Sequence, residues 1–131
     1  MSIPKNLKGR FIEAINRTEL DAVMLRDGYI PFLPVIDGGI DVIYFREADA
    51  KILYVQTKGR VCIYKKYLRR KIWMAFSEDD QWYLYRHDDL VKFCESEGLW
   101  VHTPSWRNKG GYSVKKIPRP MRIWMARRKR G

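Results

Sequence analysis

Two strand-like segments on either side of a short polar turn constrain the fold of this chain most strongly. Residues 40–45 and 51–59 are rich in β-branched and aromatic side chains, and residues 46–50 form the polar turn between them. Segments of this kind pair as an antiparallel hairpin, whose successive side chains alternate between two faces. The alternation places Gln56 and Lys58 on one face and Thr57 on the other. Asp41 interrupts the first strand where the pairing brings it close to Gln56 and Lys58.

A helix is predicted before the hairpin, over residues 7–27, and Gly28 is a suitable residue to end it. Glu19 lies on the same side of this helix as most of its apolar residues. A carboxylate on an apolar side is costly to desolvate unless a cation or a metal ion meets it. We therefore expect Glu19 to face the hairpin, with Glu13 as the alternative. The apolar side is formed by Phe11, Ile12, Ile15, Ala22 and Val23.

A second pair of strands and a second helix are predicted further along the chain. The strands fall within residues 71–76 and 82–86, and the helix runs from Asp88 or Asp89 to about Glu97, before Gly98. These elements predict an α/β or α+β fold, with a mixed sheet of about five strands flanked by helices. We assign residues 1–120 to a single domain and residues 121–131 to a basic C-terminal tail, and we expect the last few residues, 126–131, to be frayed.

Composition indicates one ordinary globular domain. The chain has 131 residues, of which 46% are hydrophobic, enough for one core. Cys62 and Cys94 fall within predicted elements and are expected to be small buried hydrophobic residues. The sequence has neither the apolar run of a signal peptide nor a membrane-spanning stretch. A cytoplasmic protein without a membrane partner is therefore expected.

The distribution of charge favours a nucleic-acid partner. The net charge is +11, and the chain from Gly98 onward contains ten basic residues and no acidic one. A second basic cluster follows the hairpin, and aromatic residues are interleaved with both clusters. Basic groups attract a phosphate backbone, and aromatic rings can stack on bases. The expected nucleic-acid contacts are Arg60, Lys65, Lys66, Arg69, Arg70, Trp106, Arg107 and Lys109.

Other kinds of chemistry find little support in the sequence. The glycines form neither a dinucleotide-binding pattern nor a phosphate-binding loop, so no nucleotide cofactor is expected. No histidine and cysteine residues have the spacing of a zinc site. His87 stands beside Asp88 at a predicted helix start, where a capping role is favoured over catalysis.

Asp41, Gln56 and Lys58 together suit the hydrolysis of a phosphodiester. Carboxylate and amide oxygens are hard ligands of the kind that Mg²⁺ takes in proteins. A bound Mg²⁺ ion neutralises phosphate charge and activates water, and a neighbouring lysine stabilises the developing oxyanion.

The residues GGID at 38–41 and YVQTKGR at 54–60, with the preceding helix, resemble the PD-(D/E)xK nuclease superfamily. That superfamily includes restriction endonucleases, Holliday junction resolvases and some homing endonucleases. The resemblance covers about residues 7–76. It implies a restriction-endonuclease-like core, a metal-dependent endonuclease activity, and double-stranded or branched DNA as the substrate. A homodimer is also expected, because small nucleases of this type often use two subunits to cut both strands.

The resemblance also implies a role for each site residue. Asp41 matches the metal-binding aspartate, Gln56 stands where the family has an acid, and Lys58 matches the family's lysine. The backbone carbonyl of Thr57 and the carboxylate of Glu19 would complete a site for Mg²⁺ or Mn²⁺. The chain departs from the family at Gln56, which is neutral, and by lacking a proline before Asp41. An alternative is therefore a non-catalytic nucleic-acid-binding module that retains a degenerate nuclease fold, and a more distant one is an RNA-binding protein.

Overall fold

The computed structural model describes residues 2–131, which form three α-helices and eight strands. The helices are α1 (Lys8–Arg26), α2 (His87–Glu97) and α3 (Arg119–Ala126). The strands are β1 (Tyr29–Phe32), β2 (Val42–Arg46), β3 (Lys51–Lys58), β4 (Val61–Tyr64), β5 (Ile72–Glu78), β6 (Gln81–Arg86), β7 (Gly111–Val114) and β8 (Lys129–Arg130). A 3₁₀ turn at Lys65–Tyr67 follows β4, and a π-helical turn at Ser105–Lys109 precedes β7.

Six strands form one mixed sheet in the order β1-β2-β3-β5-β6-β8, and β4 pairs with β7 in a separate ribbon. The predicted hairpin is confirmed, since β2 and β3 pair antiparallel with Val42 opposite Val55. The second strand pair, β5 and β6, is also antiparallel. β3 and β5 are parallel, so the chain crosses between them through β4 and the 3₁₀ turn. The fold is thus a mixed α+β fold, as predicted, with one more strand in the main sheet than expected.

The sheet separates two hydrophobic cores. Helix α1 covers one face, where Leu20 and Met24 pack with Val42, Val55 and other strand residues. The second core joins α2, α3 and the β4–β7 ribbon to the other face. Buried apolar area of this kind provides most of the stabilisation of a domain.

The predicted buried side of α1 is wrong for the first half of the helix, whereas Val23 in the second half does pack against the core. Phe11, Ile12 and Ile15 are 43–49% exposed, whereas Leu20 and Met24 are fully buried. The first half of α1 lies over a polar cleft at one end of the sheet, so its inward-facing residues are polar. Only the second half of the helix covers the apolar part of the sheet.

The C-terminal segment is part of the fold, which corrects both the predicted tail over residues 121–131 and the fraying expected of residues 126–131. Met121 and Met125 on α3 are buried in the second core. The short strand β8 pairs with β6, with Arg130 opposite Trp82. Ile117, Met121 and Met125 recur at intervals of four residues, which is a helical period that the surrounding basic residues obscure.

Both cysteines are buried, as predicted, and they are free thiols. Burial raises the pKa of Cys62 to about 11 and that of Cys94 to about 12, so both remain protonated and unreactive near neutral pH. Among the helices of residues 2–131, none combines the length and the apolar character needed to cross a bilayer.

His87 is a structural residue of the second core. Its side chain is fully buried, and Nε2 accepts a hydrogen bond of 2.9 Å from the backbone N–H of Tyr64. Nδ1 lies 3.2 Å from Asp88 Oδ1, which fixes the neutral tautomer with its proton on Nδ1. Burial lowers the pKa of His87 below its ordinary value of 6.5, although Asp88 partly opposes the shift.

This burial predicts a loss of stability in mild acid. Below pH 6.5 the unfolded chain binds a proton at His87 that the folded chain does not, so the free energy of unfolding falls until the pH reaches the folded pKa. One proton contributes up to about 1.4 kcal/mol per pH unit. We expect urea unfolding between pH 7.5 and 5 to show this dependence, and His87→Gln to reduce it. The exposed His102→Gln is the control; an equal reduction in both variants would contradict the assignment.

Candidate metal and nucleic-acid site

Asp41 lies immediately before β2 and is held firmly at the end of the hairpin. Its backbone N–H donates to the Val55 carbonyl at 2.9 Å, and Arg17 on α1 donates to the Asp41 carbonyl at 2.8 Å. Carboxylate oxygen Oδ2 accepts two bonds from Thr57, at 2.8 Å from the backbone N–H and at 2.7 Å from Oγ1. The position of the carboxylate is therefore fixed by the fold.

Gln56 and Lys58 share one face of β3, as predicted, and are opposite Met74 and Phe76 of β5. The amide oxygen Oε1 of Gln56 is buried and has no hydrogen-bond partner among residues 2–131. A buried acceptor without a partner costs about 1–3 kcal/mol. This oxygen is therefore suited to a ligand that the protein atoms alone do not provide.

Lys58 lies over two tyrosine rings. Its Nζ is 5.3 Å from the ring centroid of Tyr64 and 5.9 Å from that of Tyr67. The predicted site did not include these tyrosines. The pKa of the Tyr67 phenol is raised, and burial is the largest cause. Lys66 opposes the increase, whereas the negative charge of Asp41 adds to it. Asp41 is therefore close enough to affect the pKa of Tyr67, and Lys58 Nζ lies over the Tyr67 ring.

Asp41, Gln56, Thr57 and Lys58 all line one cleft of about 340 Å³, hereafter the Asp41 cleft. It lies where β3 and β5 end, so residues from either face of β3 can reach it. The ammonium of Lys58 rests on the tyrosines, and no ion pair between Lys58 and Asp41 occurs in the described part of the chain. The strand residues are therefore brought together as predicted, with the lysine free of a carboxylate partner.

Glu19 does not join this cleft, which corrects the prediction. Its side chain is exposed, and the cleft is lined instead by Glu13 one and a half turns earlier. Glu13 is followed by Asn16 and Arg17 on the same face of α1, and all three line the cleft. This face of α1 lies toward the sheet because Leu20 and Met24 pack on the strands. These two residues follow Arg17 by about one and two helical turns.

Thr57 supplies hydrogen-bond donors to Asp41 through its N–H and hydroxyl. The sequence resemblance implied a role for its backbone carbonyl, which the side-chain contacts do not test. Within residues 2–131, no group of three or more His, Cys, Asp or Glu residues is close enough to hold a metal ion. Oxygen ligands at this cleft would come from Asp41, Gln56, Glu13 and the backbone.

The two basic stretches of the sequence meet in space. The backbone N–H of Lys65 donates to the Gly110 carbonyl at 2.8 Å, which joins the 3₁₀ turn to the π-helical turn carrying Arg107 and Lys109. Lys66 lies over the same two tyrosine rings as Lys58, and Arg70 donates to the Gly38 carbonyl at 3.5 Å. The exposed basic residues of these stretches are Arg60, Lys65, Lys66, Arg69, Arg70, Arg107 and Lys109, hereafter the basic rim.

Trp106 is not the exposed aromatic residue that was predicted. It is 8% exposed and belongs to the second core, while Lys65 Nζ lies 5.3 Å from its ring centroid. The π-helical turn directs the indole inward and leaves its neighbours Arg107 and Lys109 outside. Tyr64 instead provides a partly accessible aromatic ring near the cleft. It is half-buried, and its ring centroid lies 5.3 Å from Lys58 Nζ.

Comparison with known proteins gives a distant structural similarity. No protein-family model matches the chain, and no curated protein is significantly similar to it in sequence. The solved structure of a bacterial homing endonuclease, I-Ssp6803I, aligns with 96% of this chain and 94% of its own, with 12% sequence identity and a TM-score of 0.49. At this level of similarity, the function of the chain has to be inferred from its own geometry.

Proposed function

We propose that this chain is a metal-dependent DNA endonuclease that hydrolyses phosphodiester bonds at the Asp41 cleft. The observation that carries the proposal is the buried, unpartnered amide oxygen of Gln56 in the same cleft as the fixed carboxylate of Asp41. Two oxygen donors in one cleft suit an ion that prefers oxygen ligands. We further propose that the chain is a divergent member of the PD-(D/E)xK superfamily.

The donor set fits Mg²⁺ or Mn²⁺ better than a softer metal ion. Mg²⁺ keeps several waters and is commonly bound through one or two carboxylates, so Asp41, Gln56 and the nearby Glu13 are sufficient ligands. When bound, the ion would neutralise phosphate charge and lower the pKa of an attacking water.

The protein's own residues then have separate roles. The two Thr57 bonds hold Asp41 Oδ2 in place, which leaves Oδ1 without a protein partner among the described residues. The Lys58 ammonium has only tyrosine rings beside it and no carboxylate, so its charge is available to the oxyanion that develops on the phosphate. Arg60, Lys66 and Arg70 of the basic rim would hold the flanking phosphates of the DNA backbone.

A non-catalytic nucleic-acid-binding module is the second candidate, favoured by the neutral Gln56 in place of an acid. The two functions are separated by incubating plasmid and branched DNA with the full chain in Mg²⁺, Mn²⁺ or EDTA. Cleavage that requires the divalent ion supports the nuclease. Salt-sensitive binding without cleavage in either metal would instead support the binding module.

We also propose that the chain acts as a homodimer through the outer face of β1, β2 and β3. Two rows of apolar residues cross these strands: Ile30, Phe45 and Ile52 in one row, and Phe32, Ile43 and Tyr54 in the other. The apolar surface continues into the following loop, where Leu33, Val35 and Ile36 are 70–102% exposed.

The size of this apolar surface argues for a second copy of the chain as its partner. Seven of its residues are at least 37% exposed. With roughly 150–200 Å² for each large apolar side chain, their exposed parts amount to about 700 Å², close to the ~800 Å² that each partner contributes to a stable interface. A homodimer would bring two Asp41 clefts to one duplex and allow both strands to be cut.

Charged residues on the loop should therefore separate the dimer. We expect the wild-type chain to sediment as a dimer at micromolar concentration, and Val35→Glu with Ile36→Glu to sediment as a monomer. The double variant should nick plasmid but linearise it poorly. Leu25→Glu, on an exposed part of α1, is the matched control and should remain dimeric. A monomeric wild-type chain would refute the homodimer without affecting the proposed chemistry.

A further inference from the structure

A second and larger cleft lies at the other end of the sheet from the Asp41 cleft. Its volume is about 750 Å³, within the usual range for ligand sites. The Asp41 cleft includes Ser77 near the end of β5, whereas this one includes Trp73 near the start of the same strand. Its other walls come from β6, α2, α3 and the C-terminal residues, and we name it the C-terminal cleft.

Aromatic side chains form one wall of the C-terminal cleft. Trp124 on α3 is half-buried, and its ring centroid lies 5.5 Å from that of Phe93 and 5.6 Å from that of Tyr85. Trp73 also lines the cleft and is half-buried, but it packs against the core on the α1 side of the sheet, whereas Trp124 packs against the second core. Half-exposed aromatic rings on a rigid support are suited to stacking against a planar group.

Cationic side chains form the rest of the wall. The Arg128 guanidinium lies 3.6 Å from the Trp124 ring centroid and donates to the Trp124 carbonyl at 2.8 Å. Burial lowers the pKa of Arg128, although Asp89 opposes the shift, so this cation is poorly solvated. In residues 2–131 it has no ion-pair partner. The cleft is lined by five basic residues and two acidic ones: Arg86, Arg127, Arg128, Lys129, Arg130, Asp89 and Glu97.

We propose that the C-terminal cleft binds a nucleotide, with its phosphate on Arg128 and Arg127 and its base against Trp124. A partly desolvated guanidinium next to exposed aromatic rings matches a ligand that is both anionic and planar. Asp89 and Glu97 can accept hydrogen bonds from amino groups of the base. The volume admits one nucleotide and excludes a duplex, so the ligand is either free or an unpaired nucleotide of a strand. This proposal is independent of the Asp41 chemistry.

The test measures binding to the full chain in EDTA, so that no cleavage occurs. The probes are a labelled oligodeoxyadenylate hexamer, dAMP and inorganic phosphate. Binding of the hexamer is followed by fluorescence polarisation, and binding of the small probes by tryptophan quenching. We expect the hexamer or dAMP to bind at least about tenfold more tightly than phosphate, because stacking adds to the charge interaction. If dAMP binds as tightly as the hexamer, the natural ligand is a free nucleotide. If the hexamer binds more tightly, the ligand is an unpaired nucleotide of a strand.

The variants separate this cleft from the rest of the basic surface. Arg127→Glu, at an exposed position, should weaken nucleotide binding about tenfold or more, and Arg128→Lys should weaken it less than Arg128→Ala. Arg119→Ala, outside the cleft, should bind as the wild type does. Unchanged binding by Arg127→Glu and Arg128→Ala, or phosphate binding as tight as that of dAMP, would overturn the proposal. Arg127→Glu keeps the test valid if Arg128→Ala fails to fold.

Discussion

Asp41→Asn is expected to reduce metal-dependent DNA cleavage by about a thousandfold or more, because a carboxylate ligand to the proposed ion is lost. The asparagine oxygen can still accept the Thr57 N–H bond, so the free energy of unfolding should fall by only about 1 kcal/mol. DNA binding in EDTA should be unchanged, since the basic rim is intact. The measurement is the rate of plasmid cleavage in Mg²⁺ together with a binding titration.

The matched control is Asp80→Asn, at the exposed turn between β5 and β6. Asp80 has a φ of 61°, which asparagine also adopts readily. Asp80 does not line the Asp41 cleft, so the change removes the same charge without removing a proposed ligand, and cleavage should continue at the wild-type rate. Equal cleavage by Asp41→Asn and Asp80→Asn would show that hydrolysis, if present, does not occur at Asp41.

Met121→Ala and Met125→Ala are each expected to lower the free energy of unfolding by about 2–5 kcal/mol, as large-to-small changes in a core do. Both methionines are at most 2% exposed. Helix propensity does not favour methionine over alanine, so the loss reports packing alone. The measurement is the midpoint of urea unfolding at constant slope.

Ile123→Ala on the same helix is the comparison, because Ile123 is 59% exposed. We expect it to change the free energy of unfolding by less than about 1 kcal/mol. If all three variants unfold at the same urea concentration, then α3 does not pack on the domain and the C-terminal residues are a tail after all.

The sequence predicted the hairpin, and with it the closeness of Asp41 to the end of β3, because strand alternation is a local property. The pairing of Asp41 with the Gln56–Lys58 segment follows from the turn and from the period of two. The helix residue could not be predicted in the same way. Glu19 lies among apolar residues in the sequence, but the helix is oriented by Leu20 and Met24, and the strands on which they pack are distant in the chain.

The aromatic neighbours of Lys58 were also beyond sequence reasoning. Tyr64 and Tyr67 reach the lysine only because β3 and β5 are parallel, and parallel pairing was not evident from two segments with the same pattern. Trp106 was misplaced for a related reason: its flanking residues are polar, and only the π-helical turn decides which side faces the core. Tertiary contacts override local character in both cases.

The parallel pairing of β3 and β5 has a consequence for how such a protein could change its target. The chain must pass from one end of the sheet back to the other between these strands, and residues 59–71 make that passage. This crossover carries most of the basic rim and both tyrosines beside Lys58, while Asp41 and Gln56 are fixed by the hairpin. Replacement of the crossover would therefore exchange the surface proposed to hold nucleic acid and leave the hairpin register of Asp41 and Gln56 untouched.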